Sequence, residues 1–108
     1  MEHMTQLNPQ QLENGVRLAF EDTTNRYYGD YHRVKIEVRI RLAENGYERA
    51  YDFKALEKMA VPGAEVDAVR QQLLENFRQQ LLPYLARPDF AQRFLATQRR
   101  QGLRLLRN

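Results

Sequence analysis

From Arg33 to Leu42 the chain reads RVKIEVRIRL, and charged and apolar residues alternate without a break. In an extended backbone Val34, Ile36, Val38, Ile40 and Leu42 share one face, while Arg33, Lys35, Glu37, Arg39 and Arg41 share the other. That period of two belongs to a strand with one buried face and one wet face. The run from Tyr31 to Leu42 therefore commits the chain to a sheet covered on one side only.

Neighbouring strands can be read around it. Asn14-Gly15 is a turn signal, after which Val16, Leu18 and Phe20 alternate with Arg17, Ala19 and Glu21, predicting a strand over 16–22. DTTNRYYGD reads as a loop. AENG reads as a four-residue turn, and residues 47–53 can return antiparallel. The preferred register sets Leu42 opposite Tyr47, Val38 opposite Tyr51, Ile36 opposite Phe53 and Arg41 opposite Glu48. Sliding by one residue would bring Arg49 against Arg41 and Asp52 against Val38, mixing the faces. KALEKMA, residues 54–60, fits either an extension of this strand or a short helix.

The second half changes period. Pro62 suits a first helical turn, Glu65 suits a helix N-terminus, and no glycine or proline interrupts the chain from Ala64 to Leu82. Val66, Val69, Leu73, Leu74, Phe77, Leu81 and Tyr84 fall within a stripe about 140° wide on a helical projection. Pro83 should kink or restart that helix, a second helix should span 88–100, and Gly102 should end it. The expectation is an α+β fold in one domain: a three-stranded antiparallel meander (16–22, 31–42, 47–53) packed against two C-terminal helices (64–82, 88–100). Residues 1–13 are expected as a mobile N-terminus and 101–108 as a frayed basic tail.

Composition excludes several chemistries. Without cysteine or serine among its 108 residues, the chain has no thiolate, disulfide or cysteine-bound metal and no serine nucleophile. The five glycines form no phosphate-binding loop. Asp30 and His32 have a permissive metal spacing, but His32 continues the row of Val34 and Ile36 and reads as a packed or rim histidine. Glu21, Asp22 and Asp30 read as solvated carboxylates. No catalytic residue, metal or cofactor is expected. The longest uncharged apolar run, LLPYLA, is far short of a membrane span, and the start lacks the apolar centre of a signal peptide, so a cytoplasmic protein is expected.

Three features stand out as candidate contact surfaces. The first is Tyr27 and Tyr28 beside Gly29-Asp30, expected as one packed ring and one exposed. The second is Arg70, which falls with Gln80 inside the apolar stripe and either lays its methylenes along the core or meets a partner. The third is charge. The net charge of +3 is unevenly placed, with seven arginines against Asp89 alone in residues 78–108, which makes that segment +6 and the remainder −3. A helix continuing through Gly102 would align Arg93, Arg100, Arg104 and Arg107, although glycine disfavours that continuation by about 1 kcal/mol. The basic face of residues 33–41 has the ingredients of a nucleic-acid platform, but Glu37, Glu48, Asp52 and Glu21 should neutralise it through cross-strand pairs.

The segments RYYGDYHRV and YLARPDF resemble a pattern in small bacterial proteins of unknown function, a resemblance that implies no fold, ligand or catalytic residue. The functional expectation is a non-enzymatic module that binds a protein, including another copy of itself. The alternative is a weak nucleic-acid or polyanion binder acting through the basic C-terminal segment.

Overall fold

A computed structural model describes residues 5–106, with the side chains of 5, 6, 8 and 102–106 outside the description. Five strands come first: β1 (Thr5–Gln11), β2 (Arg17–Asp22), β3 (Asn25–Tyr28), β4 (Tyr31–Glu44) and β5 (Tyr47–Pro62). A 3-10 turn at Gly63–Glu65 leads into α1 (Val66–Leu85), and α2 (Phe90–Leu106) follows. The architecture is α+β, one antiparallel sheet with two C-terminal helices, as the patterning predicts.

The sheet is organised around β4. β5 pairs with it from Tyr31 to Glu44, β2 pairs along Ile36–Arg41 and β3 along Tyr31–Arg33. Since a strand has two edges and β5 occupies one throughout, β2 and β3 share the other. They are one strand interrupted at Thr23-Thr24, where Thr23 N–H donates to the Lys35 carbonyl at 2.9 Å and Lys35 N–H donates to Thr24 Oγ1 at 3.2 Å. Two strands go beyond the meander read from sequence. β3 forms where a loop is expected, and the segment expected as a mobile N-terminus contributes β1, an edge strand on β2 with a register shift between Leu7 and Gln10. Pro9 falls within that shift, at a sheet edge where a missing backbone donor is tolerated.

The hairpin register differs from expectation by two residues. Tyr47 pairs with Glu44, Tyr51 with Ile40 and Ala50 with Arg41, so Asn45-Gly46 alone makes the turn. Asn45 at φ 52° and Gly46 at φ 83° match a two-residue turn whose twist suits a hairpin. Slipping by an even number leaves every face assignment intact, which is why the faces could be right and the partners wrong. Two further shifts, between Val38 and Arg39 and between His32 and Val34, bulge β5 as it continues through KALEKMA to Pro62 as strand.

The inner face holds the core. Val34, Ile36, Val38, Ile40 and Leu42 of β4 and Leu18 and Phe20 of β2 are buried, covered by Phe77 and Leu85 of α1 and Phe90 of α2. Aromatic edges join the layers: Phe77 meets Phe20 at 5.7 Å and Phe53 at 6.4 Å between ring centroids, and Phe94 meets Tyr51 at 5.3 Å. α1 passes through Pro83 to Leu85 instead of stopping at Leu82. Pro83 withholds the N–H that the Gln79 carbonyl would otherwise accept, and the end is capped from across the chain: Asn14 Nδ2 donates to the carbonyl of Leu85 at 2.8 Å and to that of Arg87, just past the helix, at 2.7 Å. Likewise α2 runs past Arg100 through Gly102 to Leu106, where a frayed tail is expected from 101.

Two substitutions check the face assignment by urea denaturation. Ile36→Ala should lower stability by roughly 2–5 kcal/mol, and Arg41→Glu by under about 1 kcal/mol; equal losses would contradict the assignment. A third tests the cap: Asn14→Ala should cost about 1–3 kcal/mol by leaving the Leu85 carbonyl without its side-chain donor, while Arg87 keeps the Phe90 N–H, an effect an ordinary turn residue would not show.

Candidate interaction surfaces

The outer face of the sheet is a closed network of charges. In the β2–β4 register Arg17 lies opposite Arg41 and Glu21 opposite Glu37, two like-charged pairs that would repel. Each is bridged. Glu48 of β5 reaches Arg17 at 3.1 Å and Arg41 at 3.6 Å, while Arg39 reaches Glu21 at 2.6 Å and Glu37 at 3.3 Å and also holds Asp52 at 3.0 Å. Lys35 pairs with Glu37 at 3.7 Å, and Arg33 donates twice to Glu57 at 2.8 and 3.3 Å. The hydrogen bond to Asp52, offset in part by desolvation and reinforced by Glu21, raises the Arg39 pKa further above its ordinary value. Five basic side chains thus face five carboxylates, and the nucleic-acid platform loses its free cations.

Tyrosines gather at one end of the same sheet. Gly29, at φ 52°, and Asp30 turn β3 into β4 and set Tyr28 directly opposite Tyr31. Tyr27 is 47% exposed, Tyr28 75% and Tyr31 48%, so neither Tyr27 nor Tyr28 is the packed ring expected of the pair. Met59, 49% exposed, joins this end from β5, where Tyr31 pairs with Pro62. Sequence reading leaves Met59 out because it leaves residues 54–60 between strand and helix.

Asp30 and His32 hold this end together. Gly63 N–H lies 3.1 Å from the Asp30 carbonyl and 3.2 Å from its Oδ2, and His32 Nδ1 lies 3.1 Å from the same carbonyl. A Cβ at Gly63 would stand 2.6 Å from Asp30 Oδ1, so the carboxylate would have to shift to admit one. Among the described residues no cluster of three or more His, Asp or Glu side chains could hold a metal ion.

Arg70, a candidate for partner contact, is engaged within the chain. Its Nε lies 2.6 Å from Asp22 Oδ2, close in distance although the N–H is not aimed at the carboxylate, and its Nη1 donates to Asp67 Oδ1 at 2.6 Å. Asp22 sits on the inner face opposite Ile36, buried, and accepts the Thr24 N–H at 2.9 Å. The arginine in the apolar stripe therefore answers a carboxylate in the apolar row of β2. Sequence reading treats that carboxylate as solvated and so misses the pair.

On α2, Arg93 pairs with Asp89 at 2.8 Å and Arg100 is exposed. Arg104 belongs to the helical backbone and Arg107 lies outside the described residues. Arg99 turns the other way, to Glu44 at 3.4 Å, which also accepts the Tyr51 hydroxyl at 3.0 Å and meets Arg49 at 3.8 Å. Desolvation, with Glu44 as hydrogen-bond partner and nearby charge, raises the Tyr51 pKa above that of a free phenol.

Among the described residues, no helix is long and apolar enough to cross a membrane. No family model, curated protein or solved structure matches the chain.

The Asp22–Arg70 pair gives a stability test. Asp22→Ala should cost about 3 kcal/mol, at the low end for a lost buried partner because Arg70 keeps Asp67, and the double variant Asp22→Ala/Arg70→Leu should recover part of it; additive losses would show that the pair does not couple. Tyr51 gives a pH test. Its folded-state pKa exceeds the unfolded value, so its contribution to stability is complete below about pH 10 and disappears as pH rises through the folded pKa. Ultraviolet titration should show a phenol ionising above the ordinary tyrosine value that is absent from Tyr51→Phe.

Proposed function

We propose that the chain is a protein-interaction module that meets its partner on the aromatic end of the sheet. The observation that supports this most is the clustering there of Tyr27, Tyr28, Tyr31 and Met59, all substantially exposed, beside an outer face whose charges are already paired. Tyrosine offers a large rigid contact area and a hydroxyl that stays hydrogen-bonded at little entropic cost, which explains its enrichment at interfaces. The Asp30–Gly63 contacts brace the turn, so little ordering remains for binding to impose. A reducing cytoplasm suits such a cysteine-free module, and a second copy is among the partners it can take.

Purification from the native cell compares wild type with Tyr28→Ser/Tyr31→Ser, and light scattering records whether each is one copy or two. A stoichiometric protein partner or second copy that is lost in the folded variant supports the reading. A partner retained by the variant contradicts it, as does nucleic acid in its place.

One observation favours the polyanion reading as a second possibility. Continuation of α2 through Gly102 puts Arg93, Arg100 and Arg104 on one side of a single helix, at steps of seven and four residues. Arg93 is held by Asp89, so two phosphate contacts on duplex DNA, from Arg100 and Arg104, correspond to a log-log salt slope of about −1.8, which Arg100→Gln/Arg104→Gln should abolish. An unchanged slope would remove this helix as the contact.

A further inference from the structure

Among the described residues β5 is paired with a strand along one edge only, so its opposite edge carries backbone groups without a strand partner. Two irregularities divide that edge. One is the register shift between Val38 and Arg39, which leaves Phe53 as the extra residue, and the other is the shift ending at Ala60, whose φ of 57° is unusual for a residue with a Cβ. Between them Lys54, Ala55, Leu56, Glu57 and Lys58 keep regular pairing with β4. This is the one stretch of the second half of β5 where a further strand can add in register.

The surroundings define what that strand would be. Beside the stretch a groove opens between β5 and α1, with Leu56, Leu73, Phe77 and Leu81 as its apolar lining and Asn76 and Gln80 as polar members. Lys54 and Lys58 are exposed, stand in register with Val38 and Val34 on the helix-facing side, and lie on either side of buried Leu56. Neither lysine makes an ion pair among the described residues, whereas Glu57 on the other face is held by Arg33 at 2.8 Å. A second copy fits poorly. Antiparallel self-pairing centred on Leu56 would set Lys54 of each copy against Lys58 of the other, and directly opposed like charges destabilise a strand pair.

We infer that this edge accepts an extended segment of another protein with the pattern acidic, any residue, apolar, any residue, acidic. Its backbone extends the sheet at Lys54–Lys58, its central apolar side chain enters the groove over Leu56, and its two carboxylates meet Lys54 and Lys58. Main-chain hydrogen bonds supply affinity and the alternate side chains supply selectivity, as in other strand-addition complexes. The site is separate from the aromatic end, and its failure would leave that reading untouched.

The probe is an acetylated peptide with Glu-Thr-Val-Thr-Glu at its centre, titrated into the isotope-labelled full chain while backbone amide shifts are followed. Saturable shifts at Ala55–Glu57 and along Leu73–Leu81, with affinity at least about tenfold weaker for folded Lys54→Gln/Lys58→Gln, are expected. The inference is overturned by the absence of saturable shifts, by shifts confined to the tyrosines, by equal binding of a Lys-Thr-Val-Thr-Lys peptide or by equal affinity in the variant. Concentration-dependent shifts of the same amides without peptide would assign the edge to self-pairing and overturn it as well.

Discussion

The alternation in β4 is the constraint from which the structure follows. Its five apolar side chains, Val34 to Leu42, are at most 2% exposed, and it is bonded on both edges. Burying that row requires a layer over it, which α1 provides through Phe77 and Leu85. Keeping the other row wet requires that its charges not repel, and that sets the demand on β2 and β5. Glu48 of β5 meets it by bridging Arg17 and Arg41, and Arg39 of β4 itself by bridging Glu21 and Glu37. Exposed pairs of this kind are individually weak, each about 0.2–1 kcal/mol, but they decide what the face can bind. A cation already held by a carboxylate is a poor phosphate ligand.

Among the described residues one charge is buried on the inner face, Asp22, and it is used to position the first helix. Asp22 falls in the buried row of β2 and Arg70 in the buried stripe of α1, two departures from ordinary patterning that meet at 2.6 Å. Hydrophobic packing alone specifies a face, not a place along it. A charged pair that is destabilising when either member lies elsewhere favours one placement of the helix over its neighbours. The Asn14 side chain does the corresponding job at the far end of α1, tying the β1–β2 turn to the last helical carbonyl, Leu85, and to Arg87 just beyond it.

What was legible in the sequence was what periodicity encodes. The faces of β2 and β4, the helix stripe around Phe77 and the α+β class follow from spacing alone. The misses have separate physical causes. β1 contains Pro9 and few apolar residues, because an edge strand beside a bulge needs neither alternation nor every backbone donor. The β4–β5 register turned on the choice between a four-residue loop and a two-residue Asn45-Gly46 turn, which differ by an even slip and leave the same faces buried. Residues 54–58 pair regularly between the bulges near Phe53 and Ala60, but Lys54 and Lys58 share the helix-facing side with Leu56, so no apolar alternation separates strand from helix there. Gly102 was read by its propensity, a weak local preference that the helix overrides. As for the site, Tyr27 and Tyr28 drew notice by their type, but Met59 could be placed beside them only by the course of β5. Arg70 was visible as an anomaly, while its partner is far away in sequence.

β4 commits its inner face to the core and its outer face to the fold's own charges, so the recognition we propose falls on the ends and edges of the sheet. The most direct measurement follows the side-chain Nε–H resonances of Arg33 and Arg39 as an anionic polymer is added near physiological salt. If the ion pairs close the face, both resonances stay in place throughout the titration. Saturable movement of both, with release of Glu57 and Asp52 from their arginines, would contradict the account and restore the outer face as a binding surface.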